Sequence, residues 1–259
     1  MNVITADLPA SMEMMELHAF SDLHIGDNLC DFRKIQEAIN HVAETPNAYC
    51  ILNGDLMDTA IASSVGDTYG ANLQPMEQLD VCVKLFEPIK GKVLCVLPGN
   101  HENRVYKYDG LDITKIMAAQ LGLQGKYSST SAYLVLRFGR NGDPGHHGRK
   151  MVYTVYCRHG SGGGKKEGGK INALADMAQI CDADIYICGH THLPASFRTQ
   201  FFRPSLANNS LTEIEKLYVN TAASLKFGGY GEVAGFKPAS TINPVIYLSG
   251  TKKWARALV

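Results

Sequence analysis

The sequence predicts an α/β protein, and three observations carry that prediction. In the front half, apolar runs rich in β-formers alternate with segments of helical period. In the back half, short β-rich runs are separated by Asn, Gly and Pro. Five of the apolar runs also end in Asp, Asn or His, usually beside glycine. Carboxyl ends of strands are where an open α/β sheet presents its ligands.

The elements follow in order. Residues 1–13 show no clear period and read as a loose lead-in. A strand is expected at 15–20 and a helix at 31–44, with Phe32, Ile35, Ala38, Ile39 and Val42 on its apolar face and Asp31 as N-cap. Thr45-Pro46-Asn47 stops it before a strand at 49–53, which makes a parallel pair with a crossover helix. The stretch 59–73 reads as a loop or short helix near the site. A second helix carries Met76, Leu79, Val83 and Phe86, and strand 92–97 follows. A third helix spans 111–121. Runs 133–138 and 151–157 form a long hairpin, a glycine-lysine loop covers 161–169, and a helix spans 170–180. Strand 184–188 and short strands at 196–202, 216–221 and 245–249 complete the chain.

At 259 residues the chain is expected to form one domain, with its motifs in 15–193 and a β-rich part, 194–259, completing the second sheet. Lys plus Arg equals Asp plus Glu, 25 each, so no general basic field recruits nucleic acid or an anionic membrane. Cys50, Cys95, Cys157 and Cys188 fall inside apolar runs, and none of the seven cysteines forms a CxxC pair. Reduced thiols in a cytoplasmic protein are expected. No signal peptide is read at the N-terminus. The apolar runs fall far short of the roughly 20 residues a membrane span needs.

The strand-end side chains are Asp22, His24, Asp55, Asn100, His159, His190 and His192. Mixed carboxylate, imidazole and amide donors suit divalent ions such as Mn²⁺, Fe²⁺ or Zn²⁺, and seven donors exceed the needs of one tetrahedral zinc. Strand alternation would place Asp22 and His24 on one side, with Leu23 turned into the core.

The set DxH (Asp22, His24), GDxxD (Asp55, Asp58), GNHE (Gly99 to Glu102), His159 and GHTH (Gly189 to His192) resembles the calcineurin-like metallophosphoesterase family, over residues 22–192. The resemblance implies a four-layer α/β/β/α sandwich of two mixed β-sheets flanked by helices. It implies two divalent transition metal ions, Mn²⁺ first, with Fe, Zn, Co or Ni as alternatives. Asp22, His24 and His192 would hold one ion, Asn100, His159 and His190 the other, and Asp55 would bridge them. His101 would act as general acid or transition-state stabiliser, supported by Asp58. Attack on phosphorus would come in line, from a hydroxide held between the metals.

Loops would set the substrate. The protein serine/threonine phosphatase branch carries arginine where this chain has Thr59, and no sign of the tyrosine ligand of purple acid phosphatases is present. The bacterial and phage-type phosphodiesterase branch remains, acting on a phosphate ester such as a nucleotide or nucleic acid. A phosphomonoesterase and a non-catalytic interaction module are the alternatives, and a homo-oligomer is admitted. Candidate substrate contacts are Asn100, Arg104, Lys165 and Lys166. The run Gly164–Lys170 matches GxxxxGK, but Ile171 stands where a P-loop needs Ser or Thr. Glu102 is read as orienting His101 or opening a helix, His146 and His147 as solvent-exposed, and His18 and His41 as structural.

Overall fold

A computed structural model of the chain describes residues 1–61, 64, 71–139 and 151–259. Eleven strands among them form two sheets. They are β1 (Asn2–Leu8), β2 (Met14–Phe20), β3 (Ala48–Asn53), β4 (Val93–Leu97), β5 (Ser131–Phe138) and β6 (Met151–Arg158), followed by β7 (Ile185–Cys188), β8 (Ala195–Ser205), β9 (Ser210–Asn220), β10 (Val245–Ser249) and β11 (Ala255–Leu258). One sheet runs β11-β10-β2-β3-β4 and the other β1-β5-β6-β7-β9-β8. The strands after residue 194 are shared out, β8 and β9 to the six-stranded sheet and β10 and β11 to the five-stranded one.

The helices are α1 (Phe32–Glu44), α2 (Pro75–Phe86), α3 (Asn100–Asp109), α4 (Ile113–Gln120), α5 (Glu167–Ala175) and a short α6 (Gly229–Val233). The first crossover illustrates why they form. The Asp31 side chain accepts from Lys34 N and caps α1, whose buried stripe is Ile35, Ile39 and Val42. The crossover leaves β2 and β3 parallel, pairing Leu17 with Tyr49 and Ala19 with Ile51.

Apolar burial then stacks the layers. Ile35, Ile39, Leu79, Phe86 and Met117 from α1, α2 and α4 cover one face of the five-stranded sheet at Phe20, Cys50 and Leu52. Its other face, through Met15, Leu17, Ile246 and Leu248, packs on Leu134, Leu136, Tyr153 and Val155 of the six-stranded sheet. Leu174 of α5 and Met177 beyond it cover the far side, over Tyr156, Tyr186 and Tyr218. The result is the expected α/β/β/α sandwich. Each fully buried aliphatic side chain contributes about 1.5–3 kcal/mol. No helix among the described residues is long and apolar enough to cross a membrane. All seven cysteines are free thiols.

Several expectations need correction. Residues 1–13 are not a loose lead-in, because Asn2–Leu8 pair in parallel with β5. Ile4 and Leu8 face the core, while exposed Val3 blurs the period. Helix α3 has only Glu102 and Val105 buried, so beyond the helix start allowed at Glu102 its largely polar sequence gives no apolar period to define its extent. The helix expected at 170–180 starts earlier, at Glu167, and passes into a 3₁₀ turn at Asp176–Gln179. Strands β8 and β9 are longer than read, since their exposed outer halves pair only with each other. Most of 59–73, and both His146 and His147, lie outside the described residues.

Candidate metal centre

The predicted donors converge just past the ends of β2, β3, β6 and β7 and at the N-terminus of α3. Strand alternation is not what aims the first two. Strand β2 ends at Phe20, and Asp22 and His24 have φ values of 54° and 49°. Asp55, His190 and His192 share this left-handed backbone, at 50°, 67° and 53°. The conformation is uncommon outside glycine and costs on the order of 1–3 kcal/mol per residue, a form of strain that gathers at functional sites. Side chains from two sheets thereby turn toward one point. Glycine permits the close approach: a Cβ on Gly99 would sit 2.1 Å from Asp55 Oδ1, and one on Gly189 2.1 Å from Ser21 Oγ.

Two groups of donors lie side by side. In the first, His192 Nε2 is 3.2 Å from Asp22 Oδ1 and 3.3 Å from His24 Nε2. In the second, His159 Nε2 lies 3.0 Å from Asp55 Oδ2 and 3.2 Å from Asn100 Oδ1. His190 Nδ1 is 2.6 Å from the same Asn100 oxygen. The groups meet where His159 Nε2 comes within 3.9 Å of Asp22 Oδ1.

Proton placement shows what this geometry is for. His159 Nδ1 donates to the Asn53 carbonyl at 2.9 Å, and His190 Nε2 donates to the Gly162 carbonyl at 2.8 Å. In the neutral rings the opposite nitrogens therefore carry lone pairs, aimed at the oxygens of Asn100 and Asp55. Lone pairs converging on one point could hold a metal ion, and each ring is fixed through its other nitrogen, the arrangement that orients metal-binding histidines. His24 Nδ1, buried, has no hydrogen-bond partner among the described residues. The donors fit divalent transition metal ions.

The electrostatics agree. Burial favours protonated Asp22 and Asp55, yet the imidazolium charge of His159 holds both well below the usual carboxylate range. Burial opposes charge on His159, but Asp55 and Asp22 push it up to about 10. Two buried carboxylates in one site thus demand positive charge. His24 and His190 are lowered, by burial first and then by the neighbouring His101 and His159 respectively. Neutral imidazole is the ligating form.

His101 stands at the edge of the cluster. Its Nδ1 donates to Asp58 Oδ1 at 2.9 Å, and its Nε2 points inward, 3.9 Å from Asp55 Oδ2. Burial works against its protonation, but the Asp58 bond and the Asp55 charge raise its pKa above the usual value. Thr59, buried and at φ 43°, donates from Oγ1 to the His101 carbonyl at 2.6 Å.

Glu102 does more than open a helix. Its buried carboxylate accepts backbone N–H groups from Asp55, Leu56, Met57 and Gly99, at 2.7–3.0 Å. Sequence reasoning also passed over Ser21, whose hydroxyl donates to Asp22 Oδ2 at 2.6 Å, and Asn53 and Gly162, whose carbonyls orient two rings. Ser21 and Asn53 adjoin motif residues, which is the one signal that marks them in the chain.

The substrate candidates are placed unevenly. Arg104 Nη1 donates to Ser64 Oγ at 2.9 Å, near enough for its charge to act on His101. Lys165 and Lys166 are exposed, the former with its ammonium 5.7 Å from the Phe236 ring centre. It is Lys170 that reaches the histidine loop, donating to the Thr191 carbonyl at 2.8 Å. Beside Asn100 and His159 opens a cleft of about 330 Å³, walled by Asn103, Ser129, Thr130, Ser131, Tyr156, Arg158 and Gly160.

Fold and site together define a metal-binding α/β/β/α sandwich. The family model for calcineurin-like phosphoesterases matches residues 15–194, and the chain belongs to that family. Membership implies metal-dependent hydrolysis of phosphoesters. Among solved structures, a predicted phosphoesterase from Streptococcus pneumoniae is 15% identical, with 96% of this chain and 99% of that chain covered and a TM-score of 0.37. A metallophosphoesterase from Sphaerobacter thermophilus is 16% identical, with 91% and 84% covered and a TM-score of 0.38. A Vps29 single mutant from Entamoeba histolytica is 14% identical, with 94% and 97% covered and a TM-score of 0.39. A comparison with curated proteins finds no match.

Proposed function

We propose that the chain is a single-domain phosphodiesterase with a dinuclear centre. Asp22, His24 and His192 would hold one ion, Asn100, His159 and His190 would hold the other, and Asp55 would serve both. The observation that carries this reading is the pair of adjacent donor groups whose ring lone pairs face acceptor oxygens. Two divalent ions, Mn²⁺ first, supply charge to the phosphoryl oxygens and acidity to a water.

The chain's own residues do the rest. Asp58 accepts a hydrogen bond from His101 Nδ1, fixing the ring with Nε2 toward the reacting phosphate. The Asp58 bond and the Asp55 charge favour the protonated ring, from which the Nε2 proton can pass to the departing alkoxide. Glu102 fixes the backbone that carries Asp55, and Ser21 fixes the Asp22 carboxylate. Arg104 offers a fork of donors for substrate oxygens beside His101. The open cleft next to Asn100 supports the diester preference, because a diester brings a second substituent that needs room there. The site's substrate is a nucleotide or nucleic-acid phosphodiester.

The test is hydrolysis by the Mn²⁺-loaded chain of bis-p-nitrophenyl phosphate against p-nitrophenyl phosphate, then of cyclic nucleotides and single- and double-stranded DNA and RNA. Diester turnover that EDTA abolishes is expected. Faster monoester turnover would overturn the diester assignment. No activity with Mn²⁺, Fe²⁺, Zn²⁺, Co²⁺ or Ni²⁺ would overturn the enzyme reading.

A further inference from the structure

A second group of metal-type donors lies away from the strand-end centre. Glu16 and His18 are two residues apart on β2 and share the face that α1 covers. His41 comes down onto them from the last turn of α1. Glu16 Oε2 is 2.8 Å from His41 Nε2 and 3.4 Å from His18 Nε2, and all three donor atoms lie within 4.8 Å of one another. The two rings stand 5.3 Å apart, tilted by 58°. Separated along the chain, His18 and His41 read as structural; in space both imidazoles turn the same nitrogen to one carboxylate oxygen of Glu16.

We propose that Glu16, His18 and His41 form a peripheral site for a zinc-class divalent ion. Two imidazole nitrogens and one carboxylate oxygen are the donor set of open zinc sites, which keep a fourth position for water. Donor atoms around a tetrahedral zinc lie about 3.4 Å apart, as follows from bonds of about 2.0–2.1 Å, so this group needs little movement to close on an ion. Exposure leaves room for the fourth ligand: the side chains of His18 and Glu16 are 11% and 19% exposed, and that of His41 is 51%. An all-oxygen set would suit Mg²⁺ or Ca²⁺, whereas mixed nitrogen and oxygen suits zinc. The bound ion ties the C-terminal turn of α1 to β2, the strand that leads to Asp22.

Zinc binding by Glu16, His18 and His41 does not depend on phosphodiesterase activity and is read out separately. The chain is stripped with chelator and dialysed to equilibrium against buffered Zn²⁺. Bound zinc is then counted per chain for wild type, His41→Ala and Glu16→Gln. His41 is half exposed, so its alanine variant tests the ligand without emptying the core, and circular dichroism verifies the fold. One zinc fewer per chain in each variant is expected. In zinc-soaked crystals an anomalous peak should lie between Glu16 Oε2 and the two Nε2 atoms. Equal zinc counts in wild type and His41→Ala, or no such peak, would overturn the proposal and leave the three residues as a hydrogen-bonded cluster.

Discussion

The Glu102 carboxylate accepts the backbone N–H of Asp55 at 3.0 Å, across 47 residues of chain. It also takes Leu56, Met57 and Gly99, so one buried side chain ties the loop after β3 to the loop after β4. Asp55 and Asn100 belong to different loops, yet His159 Nε2 lies against an oxygen of each. Glu102 is therefore a positioning residue for that group. Glu102→Ala would leave four buried N–H groups without their acceptor, and about 3 kcal/mol or more of stability should go with them. Glu102→Gln keeps the shape but turns two of its own donors toward N–H groups. We expect it to fold and to bind Mn²⁺ about 10–100-fold more weakly. Urea denaturation and metal titration measure the two effects.

His101 and Asp58 make a different prediction. His101 contacts the donor cluster at its edge, and its Nδ1 is engaged by Asp58. His101→Ala should lower turnover by about 10²–10⁴-fold, the usual worth of a general acid, with two metals still bound. Asp58→Asn should keep the ring in place but weaken its hold on the proton, with a smaller loss of about 10–100-fold. Metal analysis beside steady-state kinetics separates these outcomes. Loss of a metal from His101→Ala would make His101 a ligand.

Metal removal should be felt in stability as well as activity. Asp22, Asp55 and His159 are buried together, and the two carboxylates outnumber the one ring that lies against both. An ion that binds only the folded chain stabilises it by about 2.7 kcal/mol when present at 100 times its dissociation constant. Stripping with EDTA should lower the melting temperature, and Mn²⁺ should restore it in a concentration-dependent way. In an Asp55→Asn variant the same Mn²⁺ series should shift the melting temperature much less. Differential scanning calorimetry provides the comparison.

Much of this site could be read from the chain because the chemistry restricts residue types. Carboxylate, amide and imidazole after β-rich runs have few other uses in combination, and the sandwich follows from the family those motifs resemble. What escaped was conformational or long-range. Nothing in Asp22-Leu23-His24 announces φ values near 50°, and the strand alternation inferred there is replaced by two left-handed residues. Polar α3 has no apolar period to reveal it, although it carries Asn100, His101 and Glu102. The carbonyls of Asn53 and Gly162 became visible only once distant loops met. The lysines picked from the glycine-rich loop by charge are exposed, whereas Lys170, one turn into α5, makes the contact with Thr191.

The glycines give a contrast that isolates close approach from chain flexibility. A Cβ at Gly99 would lie 2.1 Å from Asp55 Oδ1 and 2.3 Å from Asp55 N. The second of these is backbone, held in turn by Glu102, so it cannot swing aside. Gly99→Ala must push the two loops apart and should cost about 1–3 kcal/mol, as overpacking does. Metal binding should weaken with it, because Asp55 and Asn100 move with their loops. Among the described residues, nothing outside its own helix backbone and chain neighbours lies within 4 Å of the Cβ position of Gly168, in the first turn of α5. Gly168→Ala should be neutral or stabilise by about 0.4–1 kcal/mol through the unfolded chain. Denaturation midpoints and Mn²⁺ titrations of the two variants, run side by side, test the contrast. A Gly99→Ala variant with wild-type stability and metal affinity would show that the loops after β3 and β4 are not held as rigidly as the Glu102 bonds require.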